Sequence, residues 1–132
     1  MKYLFFLSLA FVFACEPNKS EEIKQIKKEA LDIHDEVMPK MGVLRKAKKS
    51  LVLLADSVIK VDSVRADVII SASEDIAKAN ASMMDWMRNF EPEFEGSEEE
   101  MLKYFNEQKV SIEEVKKAMD ESLARGEEYL NN

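Results

Sequence analysis

Cysteine, histidine and tryptophan each occur once in this chain, and glycine and proline only three times each. A single cysteine excludes a disulfide framework. With one histidine and one cysteine, the tetrahedral Cys/His sets of structural zinc sites cannot be assembled. The phosphate-cradling glycine loops are missing too. His34 has no serine on its own helical face to form a hydrolytic triad. A di-iron carboxylate site needs Glu-x-x-His pairs, and the residue three before His34 is Leu31. Catalysis is therefore not expected. The formal charge is −7, and along the chain basic residues are interspersed with acids. That pattern predicts neither a nucleic-acid partner nor a polybasic membrane patch. Few helix breakers beside abundant Ala, Leu, Glu and Lys argue for long helices.

The longest apolar run lies at the N-terminus, from Tyr3 to Ala14 after the single charge of Lys2, with Ser8 its one polar residue. It is shorter than the roughly 20 residues that cross a bilayer, and has the layout of a signal peptide. Val12-Phe13-Ala14-Cys15 resembles the lipobox of bacterial lipoproteins. The resemblance implies cleavage after residue 14 and a lipidated Cys15, with two or more acyl chains giving stable anchoring. Residues 15–22 then read as the anchor and a polar tether, and residues 23–132 as one domain. In lipoproteins an aspartate after the cysteine often marks inner-membrane retention. Glu16 stands there instead, which points to the outer membrane.

Apolar spacing predicts an all-α fold, an up-down-up antiparallel three-helix bundle of long helices. The first helix runs from about Ser20 to Lys60 with a 3-4 seam at Ile23, Ile26, Ala30, Ile33, Val37, Leu44, Ala47, Leu51, Leu54 and Val58. Lys40 fills the remaining seam slot, and Pro39 predicts a kink. The second helix follows Val61-Asp62-Ser63 with Ile69, Ala72, Ile76, Ala79, Met83, Trp86 and Phe90 in phase. Ser97 to Glu100 has the capping-box pattern and opens the third helix. Its seam is Met101, Phe105, Gln108, Ile112, Val115, Met119 and Leu123. Gly126 falls on the inward face, where it allows a close approach.

Antiparallel register brings unusual residues to one end of this bundle. With turn centres near 60–61 and 93–94, position 34 faces about 87, 38 faces about 83, and 86 faces about 101. His34, Met38, Met41, Met83, Met84, Trp86, Met87 and Met101 then converge. Packing is the first reading, since methionine fills irregular gaps and contacts aromatic rings. A Cu(I) or Ag(I) site is the second, because thioethers with imidazole select soft ions and Trp86 adds an aromatic face. Haem held by His34 and a methionine is a remote third. No other cofactor is expected.

Two stretches, Ile33-His34-Asp35-Glu36-Val37-Met38-Pro39-Lys40-Met41 and Ser82-Met83-Met84-Asp85-Trp86-Met87-Arg88-Asn89-Phe90, resemble a family of small helical lipoproteins of flavobacterial type. These often carry the label "viral A-type inclusion protein", a coiled-coil similarity name. The resemblance implies no established activity. An exported, lipid-anchored, non-enzymatic bundle is thus expected, acting as a structural or protein-interaction module. Its partners would be the membrane through the lipid, an envelope protein, or a second copy.

Overall fold

A computed structural model describes residues 18–132. The leader, Cys15 and the first residues of the expected tether lie outside the described residues. The order is α1 (Lys19–Val37), α2 (Lys40–Val58), α3 (Ser63–Asn89) and α4 (Glu98–Leu130). α1 and α2 are the two arms of one bent rod, so the architecture is the expected three-layer helical bundle, and no strand occurs among the described residues.

α1 starts earlier than the sequence suggests. Asn18 caps it, its side chain accepting from the Ser20 N–H at 3.2 Å. Glu21 and Glu22 in the first turn complement the helix dipole. Residues 19–22, read as tether, are therefore helical.

The bend is local chemistry. Met38 N–H still donates to His34 O at 2.9 Å, but Pro39 carries no N–H, and α2 restarts with Met41 N–H on Met38 O at 3.2 Å. The interruption also shifts the helical phase. Lys40 was expected on the seam. Instead Met41 takes the buried slot between Val37 and Leu44, and Lys40 sits at its edge, paired with Asp120 at 2.5 Å.

The α2–α3 turn closes tightly, with Asp62 N–H on Val58 O at 2.8 Å and the Asp62 side chain capping Arg65 N–H at 2.9 Å. α4 opens on a complete capping box. Ser97 accepts from Glu100 N–H at 3.3 Å, and the Glu100 carboxylate accepts from Ser97 N–H at 2.8 Å. Those bonds hold the Glu100 carboxyl below its ordinary pKa.

Inside, α2 packs on α3 and α4, while α1 packs chiefly on α4. Leu44, Leu51, Ile69, Ile76, Met83, Ile112 and Met119 are fully buried in the main core. Gly126 does permit the close approach: a β-carbon there would lie 3.0 Å from Ile76 Cδ1 and 3.1 Å from Leu51 Cδ1. The bent rod and α4 run parallel, and one offset governs their ion pairs. Lys19–Glu99 (3.9 Å), Glu29–Lys109 (2.6 Å), Glu36–Lys116 (2.6 Å) and Lys40–Asp120 (2.5 Å) each join residue i to residue i+80.

This ladder makes stability depend on pH in a defined sense. Hydrogen bonds from Lys109 and then Gln25 hold the Glu29 carboxyl below its ordinary 4.5. The same bond raises Lys109 above 10.5. The depressed carboxyl stabilises the fold above pH 4.5 and loses that contribution as pH falls through its folded-state value. The raised amine stabilises below pH 10.5 and loses its contribution as pH rises through its folded-state value. Melting temperature is accordingly expected to drop from neutral pH into the acid range, and less steeply in a Glu29→Gln variant. Salt will blunt the effect, because these half-buried groups still reach solvent.

Candidate functional site

The unusual residues do meet, though not all of them. His34 on α1 stacks on Trp86 of α3, with ring centroids 5.6 Å apart and planes at 27°. Trp86 stacks in turn on Phe90 at 4.6 Å. From there the file of rings continues through Phe105 (6.4 Å), Tyr104 (5.1 Å) and Phe94 (4.2 Å). The file wedges apart α1 and the C-terminal half of α3 and fills the space with aromatic surface. Trp86 is buried, and its Nε1–H donates to the Gln108 carbonyl at 3.1 Å. Tyr104 Oη accepts from Glu91 N–H at 2.7 Å, which fastens the connection to α4.

Those contacts correct the expected register. Trp86 was placed opposite residue 101, but it lies against Gln108, about two turns further along α4. The connection explains the slip. Phe94 and Glu91 lie against Tyr104 instead of turning straight back, so α4 overhangs the end of α3 and reaches the start of α1. Met101 is consequently no neighbour of Trp86. It packs against Ile23, Ile26 and Phe105 in a second small core.

The other methionines divide by environment. Met41 and Met83 are buried in the main core, and Met87 packs against it. Met38 and Met84 are 36% and 43% exposed. His34 and Met87 line one cavity of about 240 Å³ together with Leu31, Trp86, Phe90 and Pro92. His34 Nδ1 lies 2.9 Å from an Asp35 carboxylate oxygen, which favours the tautomer with hydrogen on Nδ1 and a free lone pair on Nε2. The cavity is smaller than the 300–1,000 Å³ typical of small-molecule sites, so a haem macrocycle does not fit there. Among the described residues, no group of three His, Cys, Asp or Glu side chains is poised to hold a metal ion. A site at this place would rest on thioethers and one imidazole.

Sequence reasoning found Trp86 and missed the file it belongs to. The signal was present: Phe90, Phe94, Tyr104 and Phe105 straddle one connection and must meet at one end. Asn80 lies on α3. Its Oδ1 is buried without a hydrogen-bond partner. An unpaired buried acceptor destabilises, so Asn80→Leu is expected to raise stability by about 1 kcal/mol, read as a higher urea midpoint with unchanged slope.

On the opposite side of Trp86, α3 and α4 form a groove. One section, about 570 Å³, is lined by Ser82, Asp85, Asn89, Gln108 and Glu114 among others. The next section, about 380 Å³, shares Ser82 and Ala118 and ends at the Asp75–Arg125 pair. Ser82 Oγ donates to the Lys78 carbonyl within its own helix. His34 lies outside this groove, in the cavity beyond Trp86.

The expectation that basic residues are everywhere balanced by acids fails on α2. Lys40, Arg45, Lys46, Lys48 and Lys49 occur with no acid between Glu36 and Asp56. No helix of the described residues is long and apolar enough to cross a membrane. No known family, curated protein or solved structure matches the chain.

Proposed function

We propose that this chain is an exported, lipid-anchored, non-enzymatic bundle of the bacterial envelope, an interaction module whose contact end is the α2–α3 turn. The observation that carries this reading is the apolar surface at that turn. Leu53 (60% exposed), Ile59 (51%), Val61 (91%), Val64 (73%) and Val68 (39%) crowd one end of the bundle. Several large aliphatic side chains exposed on one short stretch of chain suit a contact site. It lies at the far end of the rod from residue 18, roughly 55 Å along two helices of 19 residues each. The lipobox-like Val12-Phe13-Ala14-Cys15 supports an anchor at the near end. A photo-cross-linking residue at position 64 in living cells is expected to give one discrete adduct, and the same residue at position 117 none. Equal yields at the two positions would count against the turn as the contact end.

A second reading is favoured by the free Nε2 of His34 beside Met87. Cu(I) or Ag(I) would be held by His34 and Met87, with Met38 or Met84 swinging in from the surface. Anaerobic Cu(I) titration against a chromophoric competitor tests it. Binding that persists in a His34→Phe, Met87→Leu double variant removes this ligand set.

A further inference from the structure

We infer that the outer face of α2 is a second membrane contact, one that binds the anionic headgroups of a bilayer surface. Most cations of the other helices are already paired. On α1, α3 and α4, Lys24, Lys28, Lys78, Arg88, Lys103 and Lys117 each pair with an acid on their own helix. Others are consumed by long-range pairs, including the ladder between the rod and α4. Among the described residues, the cations left without an ion pair are Arg45, Lys46, Lys48, Lys49, Lys60 and Arg65. All are exposed, and all lie on α2, its turn or the first turn of α3.

Helical spacing gathers three of the six on one side of α2. Arg45 and Lys49 are four residues apart, and Lys46 and Leu53 seven apart, so they share the face opposite the buried row of Leu44, Leu51 and Ala55. Val43 (48% exposed) and Leu53 (60%) add aliphatic surface beside the ammonium and guanidinium groups. The chain as a whole carries −7. A bilayer of negative surface potential therefore repels most of the molecule and attracts this face, which orients the bundle as well as holding it.

Position favours a bilayer over an acidic protein. The chain outside the structure ends at residue 17, directly before the rod of which α2 is the second arm. An anchor at Cys15 would enter the same rod within a few residues. Laying that rod along the surface brings α2 to the headgroups. One lipid signal combined with a basic patch gives firmer attachment than either alone. This orientation rests on the envelope reading above, and it places the α2–α3 turn near the membrane plane, where a membrane-associated partner would meet it.

The test uses the whole chain mixed with vesicles of phosphatidylcholine, with or without phosphatidylglycerol, and a lysine-acetylating reagent read by mass spectrometry. On the anionic vesicles Lys46, Lys49 and Lys60 should react several-fold more slowly than on neutral ones. Lys103 and Lys117 should react equally on both, and high salt should remove the protection. A Lys46→Glu, Lys49→Glu variant, altered only at exposed positions, should attach equally to both vesicle types without protection at Lys60. Attachment of the unaltered chain with α2 lysines reacting equally on both vesicles overturns the contact while leaving the anchor reading standing. A chain that attaches to neither overturns both.

Discussion

Replacing Trp86 with alanine is expected to destabilise the fold by about 4 kcal/mol, within the range for deleting a large buried aromatic side chain. Three losses combine at this position. The indole is buried, and its removal leaves a void between α1, α3 and α4. Its stacks with His34 at 5.6 Å and Phe90 at 4.6 Å disappear together, and such pairs contribute beyond their buried area. The bond to the Gln108 carbonyl also goes, which matters less because that carbonyl belongs to an intact helix. Urea denaturation followed by circular dichroism measures the change. Trp86→Phe should recover more than half of the loss, since it restores the ring and gives up only the N–H and part of the volume. Equal destabilisation by the two variants would mean that the hydrogen bond, and not the aromatic wedge, holds this end together.

Gly126→Leu is expected to cost about 3 kcal/mol or more through overpacking. The β-carbon alone would stand 3.0 Å from Ile76 Cδ1 and 3.1 Å from Leu51 Cδ1, and those residues are fully buried. A branched chain at that point pushes α4 away from α2 and α3 over the length of the main core. Gly126→Ala is a different case. The crowding atoms are side-chain ends that can give a few tenths of an ångström, while alanine improves helix propensity by about 1 kcal/mol. The two effects nearly cancel, so alanine should leave the thermal midpoint almost unchanged where leucine lowers it sharply.

Local chemistry made much of this fold legible. The inward rows of α3 and α4 follow the 3-4 spacing closely, from Ile69 to Trp86 and from Phe105 to Met119. The capping box at Ser97 and the close approach at Gly126 were readable because each depends on a few neighbouring residues or on seam phase. What escaped depends on geometry between distant residues. Pro39 signalled a bend, but not the phase shift that exchanges Lys40 for Met41. The overhang of α4 is set by how Phe94 and Glu91 lie on Tyr104, which spacing within a helix does not encode. Spacing drew the thioether and imidazole groups toward one region, and folding divides them: Met41 and Met83 belong to the core, Met38 and Met84 to the surface, and Met101 to another cluster.

The basic face of α2 was legible in part. No acid stands between Glu36 and Asp56, so the run around Lys46 shows in the sequence itself. Only folding adds that Lys116 finds Glu36, eighty residues away, while Lys46 finds no acid among the described residues. Charge patterning read locally counts residues, whereas the surface potential depends on which of them the fold has already paired.

What becomes of Cys15 decides the envelope reading most directly. Mass spectrometry of the whole chain recovered from bacterial membranes tests it. The expected product begins at Cys15, with diacylglycerol on its sulfur and, in an outer-membrane lipoprotein, an acyl chain on its amine. A Cys15→Ser chain should keep its leader and carry no lipid. Recovery of the unaltered chain with Met1 still in place, or with Cys15 as a free thiol, would contradict the anchor and with it the envelope reading.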